Sequence, residues 1–299
     1  MEYEMTGWIQ AHFRSLLRPG MTGEVILVSS SGVYLKLEEQ ILLLCDQSWG
    51  TLPIGIGVAD FDWTISLLHP RQGQRITVTE DSLWFQSGKL RLMVQSAVSE
   101  RPRDGTPQIG RILQAAAELA SLRKKRGISM LVLPLVLGRT PEQSEKLNPH
   151  SAYGYHYLSS LMIALEHGDS DEIRSCVEKL LGLGPGLTPS ADDCLLGMLY
   201  VFRALPQKAP EGAKLLSEYI EKICDYCTNQ ISAAFLKAVI AGAPFERMES
   251  VFQGLCGEET LNIEKLTQIG SSSGSEMLLG MLIALKLCGY DVAQREELP

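Results

Sequence analysis

A chain of 299 residues, 45% hydrophobic and 21% charged, has the composition of a globular protein and excludes disorder or a fibrous repeat. A formal net charge of −8 argues against a general role on nucleic acid, where phosphate binding needs clustered Lys and Arg. The longest apolar runs, residues 130–137 and 277–285, are far below the ~18 residues that cross a bilayer, and the acidic start Met1-Glu2-Tyr3-Glu4-Met5 is unlike a secretory signal, so a cytoplasmic protein without membrane association is expected.

In chain order, the acidic start leads into an amphipathic segment that predicts a short leading helix. Residues 23–28, 32–37 and 41–45 have the length and aliphatic or β-branched content of strands and predict a meander. Residues 75–79 and 82–85, then the turn Ser87-Gly88 and residues 90–94, predict further strands and a hairpin. An antiparallel β domain over residues 1–100, a small barrel or sandwich, accounts for them. The polar segment from Glu100 to Pro107, with two prolines and a glycine, predicts a linker. Beyond it, apolar residues recur at helical spacing in residues 109–122, 153–166, 171–181, 195–205, 213–227, 231–240 and 277–287. The fold class expected is therefore α+β, with a mainly helical domain over residues 101–299. The cluster Arg123-Lys124-Lys125-Arg126 follows the first of these helices, where cations complement the dipole. Residues 132–137, interrupted by Pro134, stay open between a buried strand edge and an irregular core segment.

Seven cysteines, an odd number, suit a reducing compartment and buried structural thiols. The single CxxC, Cys224 to Cys227, lies in a helical pattern without the second pair that zinc would need. The five histidines show no metal spacing; His150 and His156 beside Tyr153 and Tyr155 read as surface or satisfied histidines ahead of pocket residues. No serine sits in a GxSxG elbow.

Two stretches of the helical domain echo each other without a gap. Residues 190–199, SADDCLLGML, align with residues 273–282, SGSEMLLGML. In each, a serine stands three residues before an acid, Ser190 with Asp193 and Ser273 with Glu276, the spacing of a capping box. Each follows a loop of small residues: Gly182-Leu183-Gly184-Pro185-Gly186-Leu187-Thr188-Pro189 in one case, Gly270-Ser271-Ser272 in the other. Each precedes a helix apolar on nearly all sides, hence buried. Glycine inside a helix costs ~1 kcal/mol relative to alanine, so Gly197 and Gly280 predict that the two helices cross there.

A helix N-terminus approached by a Gly-rich loop presents unpaired N–H groups suited to phosphate or carboxylate. The alternative is that Ser190 and Asp193 satisfy those donors and the glycines only turn the chain. Asp192, if Asp193 serves the cap, is a spare carboxylate able to hold Mg²⁺, orient an amine or act as a base; equally, it can complement the helix dipole. No cofactor is specified, and Mg²⁺ is the one metal left open. The loop lacks the Lys-Ser/Thr ending of a P-loop and does not follow the strand that a dinucleotide fingerprint requires.

The run Gly184-Pro185-Gly186-Leu187-Thr188-Pro189-Ser190-Ala191-Asp192-Asp193 with Leu196-Gly197 resembles the signature of a bacterial family that includes the AllH-type subunits of oxamate carbamoyltransferase. Ala191 and Cys194 depart from the pattern. The resemblance implies participation in carbamoyl transfer from carbamoyl phosphate to oxamate, in the breakdown of allantoin and purines, beside other kinds of subunit. The site residues inferred with it are Gly184, Gly186, Leu187, Thr188, Ser190, Gly270, Ser271, Ser272 and Ser273 for small anionic substrates, with Asp192 and Asp193 as the catalytic candidates. A non-catalytic assembly subunit, or a stand-alone enzyme on another small carboxylate or amide, are the alternatives, and homo-oligomerisation stays open.

Overall fold

In Val33-Tyr34-Leu35-Lys36-Leu37 every second side chain is apolar, and Val33, Leu35 and Leu37 are buried while Tyr34 and Lys36 are not fully so. That two-residue period is the pleat of a strand with one face in a core. The structure, a computed structural model, describes residues 3–95, 105–122, 127–139 and 147–293. The cluster Arg123 to Arg126 and most of the predicted linker lie outside the described residues. These fall into two compact units, one of residues 3–95 with Ala243–Arg247, the other of the described residues at 105–242 and from Met248 onward.

The first unit is a closed barrel. Its strands are β1 (Tyr3–Gln10), β2 (Thr22–Val28), β3 (Val33–Leu37), β4 (Gln40–Asp46), β5 (Gly55–Val58), β6 (Arg75–Val78), β7 (Ser82–Phe85) and β8 (Gly88–Gln95), in the order β1-β5-β4-β3-β2-β6-β7-β8. Short helices α1 (Ala11–Leu16) and α2 (Phe61–Leu68) interrupt them. The meander β2-β3-β4 and the hairpin β7-β8 are antiparallel, as predicted. The sheet as a whole is mixed, because β1 runs parallel to β8 and β4 parallel to β5. Closure removes the exposed edges that an open sheet would leave.

The chain opens on a strand, and the predicted short helix follows it. In β1 the residues Met5, Gly7 and Ile9 are buried and alternate with the less buried Glu4, Thr6 and Trp8, and pairing along Tyr3 to Gln10 with β8 closes the ring. The segment Ala243–Arg247 belongs to this unit: Glu246 Oε2 accepts from Thr51 N at 2.8 Å, and Arg247 Nε donates to the Trp49 carbonyl at 2.9 Å.

The second unit is helical: α3 (Ile109–Ser121), α4 (Val132–Leu135), α5 (Pro149–His167), α6 (Ser170–Leu180), α7 (Ser190–Ala204), α8 (Ala213–Cys227), α9 (Gln230–Ile240), α10 (Glu246–Cys256, from its third residue), α11 (Glu264–Thr267) and α12 (Ser273–Leu287). Residues 132–137, open in the sequence, begin with the short helix α4. At the centre lie α7, buried from Ser190 to Phe202, and α12, buried from Gly274 to Leu285. Amphipathic helices such as α6 and α8 bury one face each. Among the described residues no helix is long and apolar enough to cross a membrane.

The helices α7 and α12 pack at their glycines. A Cβ built on Gly280 would sit 1.9 Å from the carbonyl oxygen of Cys194, and one on Gly197 would sit 2.1 Å from that of Met277. The expected crossing is therefore present, and hydrogen side chains at both positions let backbone meet backbone. Contacts pair Thr188 with Ser273, Cys194 with Gly280 and Gly197 with Met281, so the two helices run in the same direction.

Candidate functional site at the paired helix starts

Because α7 and α12 are parallel, their N-termini and the two small-residue loops emerge side by side. The Thr188 hydroxyl lies 3.0 Å from the Ser273 hydroxyl, 85 residues away in sequence, and donates to Asp193 Oδ2 at 3.0 Å. Pro185, Gly186, Leu187, Gly270 and Ser271 are exposed, and Gly184, Thr188, Ser272 and Ser273 are partly so. Ser190 is buried beneath them. Gly184 has φ +113°, and a Cβ there would approach the Ser190 side chain to 2.7 Å, so the loop folds onto the first residue of α7 only because this position is glycine. The Leu187 carbonyl is held by Asn229 Nδ2 at 2.8 Å.

The capping boxes expected at both helices do not form. The N-cap positions are Pro189 and Ser272, neither of which makes a side-chain cap, whereas Asn148, Asp169 and Asn229 cap α5, α6 and α9. Helix α7 starts one residue too early for Ser190 to cap it, and Ser273 is likewise inside α12. The acids instead reach across the helix pair. Asp193 of α7 is held by Thr188 and by Ser273 of α12, while Glu276 of α12 lies beside Ser190 of α7. Ser190 Oγ steadies that carboxylate electrostatically but meets no partner at hydrogen-bond geometry.

Glu276 also accepts from Ile128 N at 3.1 Å and from Ser272 Oγ at 3.2 Å. Gly127, with φ +76°, passes so close that a Cβ would sit 1.7 Å from Glu276 Oε1. Its carbonyl receives Ser151 Oγ at 2.9 Å from the first turn of α5. Burial raises the pKa of Glu276, and these donors oppose the rise. Asp193 is pushed up well above the ordinary carboxylate range, first by desolvation and then by the Glu276 charge. The upward push is the stronger on Asp193, and Glu276 has the richer set of donors.

Asp192 is engaged rather than spare. Its Oδ1 accepts from Gly182 N at 2.7 Å, and its Oδ2 accepts from Ser232 Oγ at 2.6 Å and from Thr228 Oγ1. Burial raises its pKa and these three donors oppose the rise. A carboxylate so bonded fastens the start of the loop to the start of α9. Among the described residues no group of three or more His, Cys, Asp or Glu is placed to hold a metal ion, and a Mg²⁺ at Asp192 would have to displace donors already in place. The seven cysteines are free and six are buried. His150 and His156 are exposed on α5.

The site thus consists of two small-residue loops meeting at two helix starts without side-chain caps, above a layer of buried carboxyls; the loop carbonyls of Leu183 and Ile269 already take one first-turn N–H of each helix, Ala191 N at 3.0 Å and Gly274 N at 3.1 Å. Residues 180–285 match the family model of oxamate carbamoyltransferase subunit AllH. The match runs from the last residue of α6 to Leu285 in the last turn of α12 and so covers both halves of the internal echo. AllH-like sequence and paired-helix geometry coincide here. No solved structure matches the chain.

Residues missing from the sequence-based site are Gly127, Ile128, Ser151, Thr228, Ser232 and Glu276 as a cross-helix acid. The sequence does hold a cue for some of them: Thr228-Asn229 and Asn148-Pro149 are helix-start signals, and both bring their helices to the signature loop or its neighbours.

Proposed function

We propose that the chain is a subunit of an oxamate carbamoyltransferase-type assembly and that the paired helix starts receive its small anionic substrates. The observation that carries this reading is the meeting of Thr188 and Ser273 at two helices without side-chain caps, within the segment that matches AllH. Backbone N–H groups at such ends carry the positive end of the helix dipole. In the reaction, the amide nitrogen of oxamate bonds to the carbamoyl carbon, the bond from that carbon to the phosphate oxygen breaks, phosphate leaves with the electron pair, and the nitrogen gives up a proton; the products are oxalurate and phosphate. The loops Gly184 to Thr188 and Gly270 to Ser273 offer donors to the phosphate and carboxylate, and hydrogen bonds of this kind stabilise an oxyanion at the attacked carbon. Asp193 acts through the hydroxyls of Thr188 and Ser273 as a positioning residue. Its raised pKa favours the neutral form, which removes a charge that would repel an anion.

A second reading, an assembly subunit whose motif only shapes a helix junction, is favoured by the full engagement of Asp192 inside the unit. Isothermal titration separates the two. Carbamoyl phosphate, phosphate and oxamate are titrated into the chain alone and into the complex it forms with its partner subunits. The substrate-binding reading expects saturable binding weakened about tenfold by Thr188→Ala or Ser273→Ala, the loss of roughly one charge-assisted hydrogen bond. Binding to the complex that both substitutions leave unchanged would establish the assembly reading.

A further inference from the structure

Helix α7 carries the signature at its start, and its far end opens on a cleft that no signature residue lines. The cleft has a volume of about 330 Å³ and largely apolar walls, from Leu199 and Phe202 of α7, Pro206 and Pro210 of the following turn, and Val239 and Ile240 of α9. Arg203, in the last turn of α7, lies among them. Its Nε and Nη1 are buried and meet no acceptor among the described residues. The Glu249 and Tyr200 charges act on the guanidinium from nearby, but no hydrogen bond reaches these two atoms. Tyr200, whose ring centroid is 5.7 Å from the guanidinium, donates its hydroxyl to Glu249 Oε2, and Gln253 Nε2 donates to Oε1 of the same carboxylate at 2.7 Å. Glu211 at the rim lies against Gly168, where a built Cβ would be 3.1 Å from its carboxyl carbon, and Lys214 is paired with Glu218 at 3.5 Å. Gly242 leaves open the space beside Nη1, which a Cβ would approach to 3.0 Å.

A guanidinium removed from water with two donors unmet is costly unless an acceptor arrives. An inorganic anion would supply acceptors but leave the apolar walls wet. A neutral apolar molecule would fill the walls but leave the guanidinium unmet. We propose that this cleft is a second small-molecule site, separate from the signature loops, that binds a carboxylate carried on a short apolar body, with Arg203 receiving the carboxylate. Such a ligand gains both a charge-assisted hydrogen bond and apolar burial.

The test uses butyrate as the probe and butyramide as its neutral counterpart, titrated into the full chain. Butyrate is expected to bind saturably and butyramide at least about tenfold more weakly, the factor for one charge-assisted hydrogen bond. Arg203→Gln should weaken butyrate by about tenfold or more, and Ala209→Phe, which places a ring in the cleft from its partly exposed wall, should abolish binding whether or not the Arg203 variant folds. Thr188→Ala should leave butyrate affinity unchanged, which separates this cleft from the signature loops. Absence of saturable butyrate binding to the folded chain, equal affinity for butyramide, or butyrate affinity untouched by Ala209→Phe would each overturn the proposal.

Discussion

The packing of α7 on α12 makes a strong demand on one atom. In Gly280→Ala the new methyl would stand 1.9 Å from the Cys194 carbonyl oxygen, 2.8 Å from its carbon and 3.1 Å from its Cα, all backbone. Ordinary contact begins near 3.4 Å, so the helices must part by more than an ångström, and no side-chain rotation can absorb the shift. Overpacking of this kind costs about 1–3 kcal/mol and at times more. Alanine recovers up to ~1 kcal/mol of helix propensity, so a net loss of about 1–2 kcal/mol is expected. Gly197→Ala should behave alike, with its methyl 2.1 Å from the Met277 oxygen. The two share one interface, so the double variant should cost less than the sum, because the first substitution has already parted the helices. Gly110→Ala in α3 is the control: a Cβ there meets nothing within 4 Å, and the variant should be no less stable than the parent. Urea unfolding measures the differences. It should be followed by far-UV circular dichroism, since Trp8, Trp49, Trp63 and Trp84 all lie in the barrel unit and tryptophan fluorescence would report the wrong half. A Gly280→Ala protein as stable as the parent would refute the close crossing and the description of the site built on it.

Two further outcomes follow from the buried carboxyls. Asp193 has a folded pKa raised above its ordinary 3.8, so the folded state binds more protons than the unfolded state above that value. Its contribution is fully present at lower pH and is lost as pH rises through the folded pKa. Unfolding of the parent as a function of pH should show stability falling over that window, and Asp193→Asn should flatten the fall; an unchanged slope would show that Asp193 is ionised throughout. Asp192→Ala strands Gly182 N, Thr228 Oγ1 and Ser232 Oγ and should cost about 3 kcal/mol or more by urea unfolding. Asp192→Asn keeps an acceptor and should cost clearly less, and a mild Asp192→Ala would mean that the loop is anchored elsewhere.

How much of this the sequence shows depends on where each interaction comes from. Strands β2, β3 and β4 are legible because aliphatic residues cluster between turns, whereas β1 mixes Met5, Thr6 and Gly7 and gains its strand identity from pairing with β8, more than 80 residues on. Helix α10 keeps Met248, Val251, Phe252 and Leu255 at helical spacing, but it lacks the cap and apolar richness that announce its neighbours. Within the site, the signature loop, Ser273 and the glycine crossing follow from the echo. The donors to the buried acids do not. Ile128 reaches Glu276 across 148 residues through a backbone N–H that every non-proline residue possesses, and Ser232 reaches Asp192 across 40. The capping boxes failed for a related reason: their spacing is local, but a buried acid facing a second helix start finds better partners there than on its own first turn.

That exchange explains why the echo matters. Two similar helices packed antiparallel would set their N-termini at opposite ends and give two separate loops. Packed parallel through Gly197 and Gly280, they bring Thr188 to Ser273 and place each acid against the serine at the other's start. Parallel packing aligns the helix dipoles, which is unfavourable in itself, and it concentrates their positive ends at one place. A carboxylate beneath those ends offsets the alignment, and Glu276, bonded to Ile128 N, is placed for that task. The raised pKa of Asp193 favours the neutral form beside it, in which the layer carries less negative charge beneath the two helix starts. A neutral Asp193 leaves one negative charge beneath the loops where an ionised one would leave two, which ties any anion affinity of the loops to the same proton that the Asp193→Asn experiment reads.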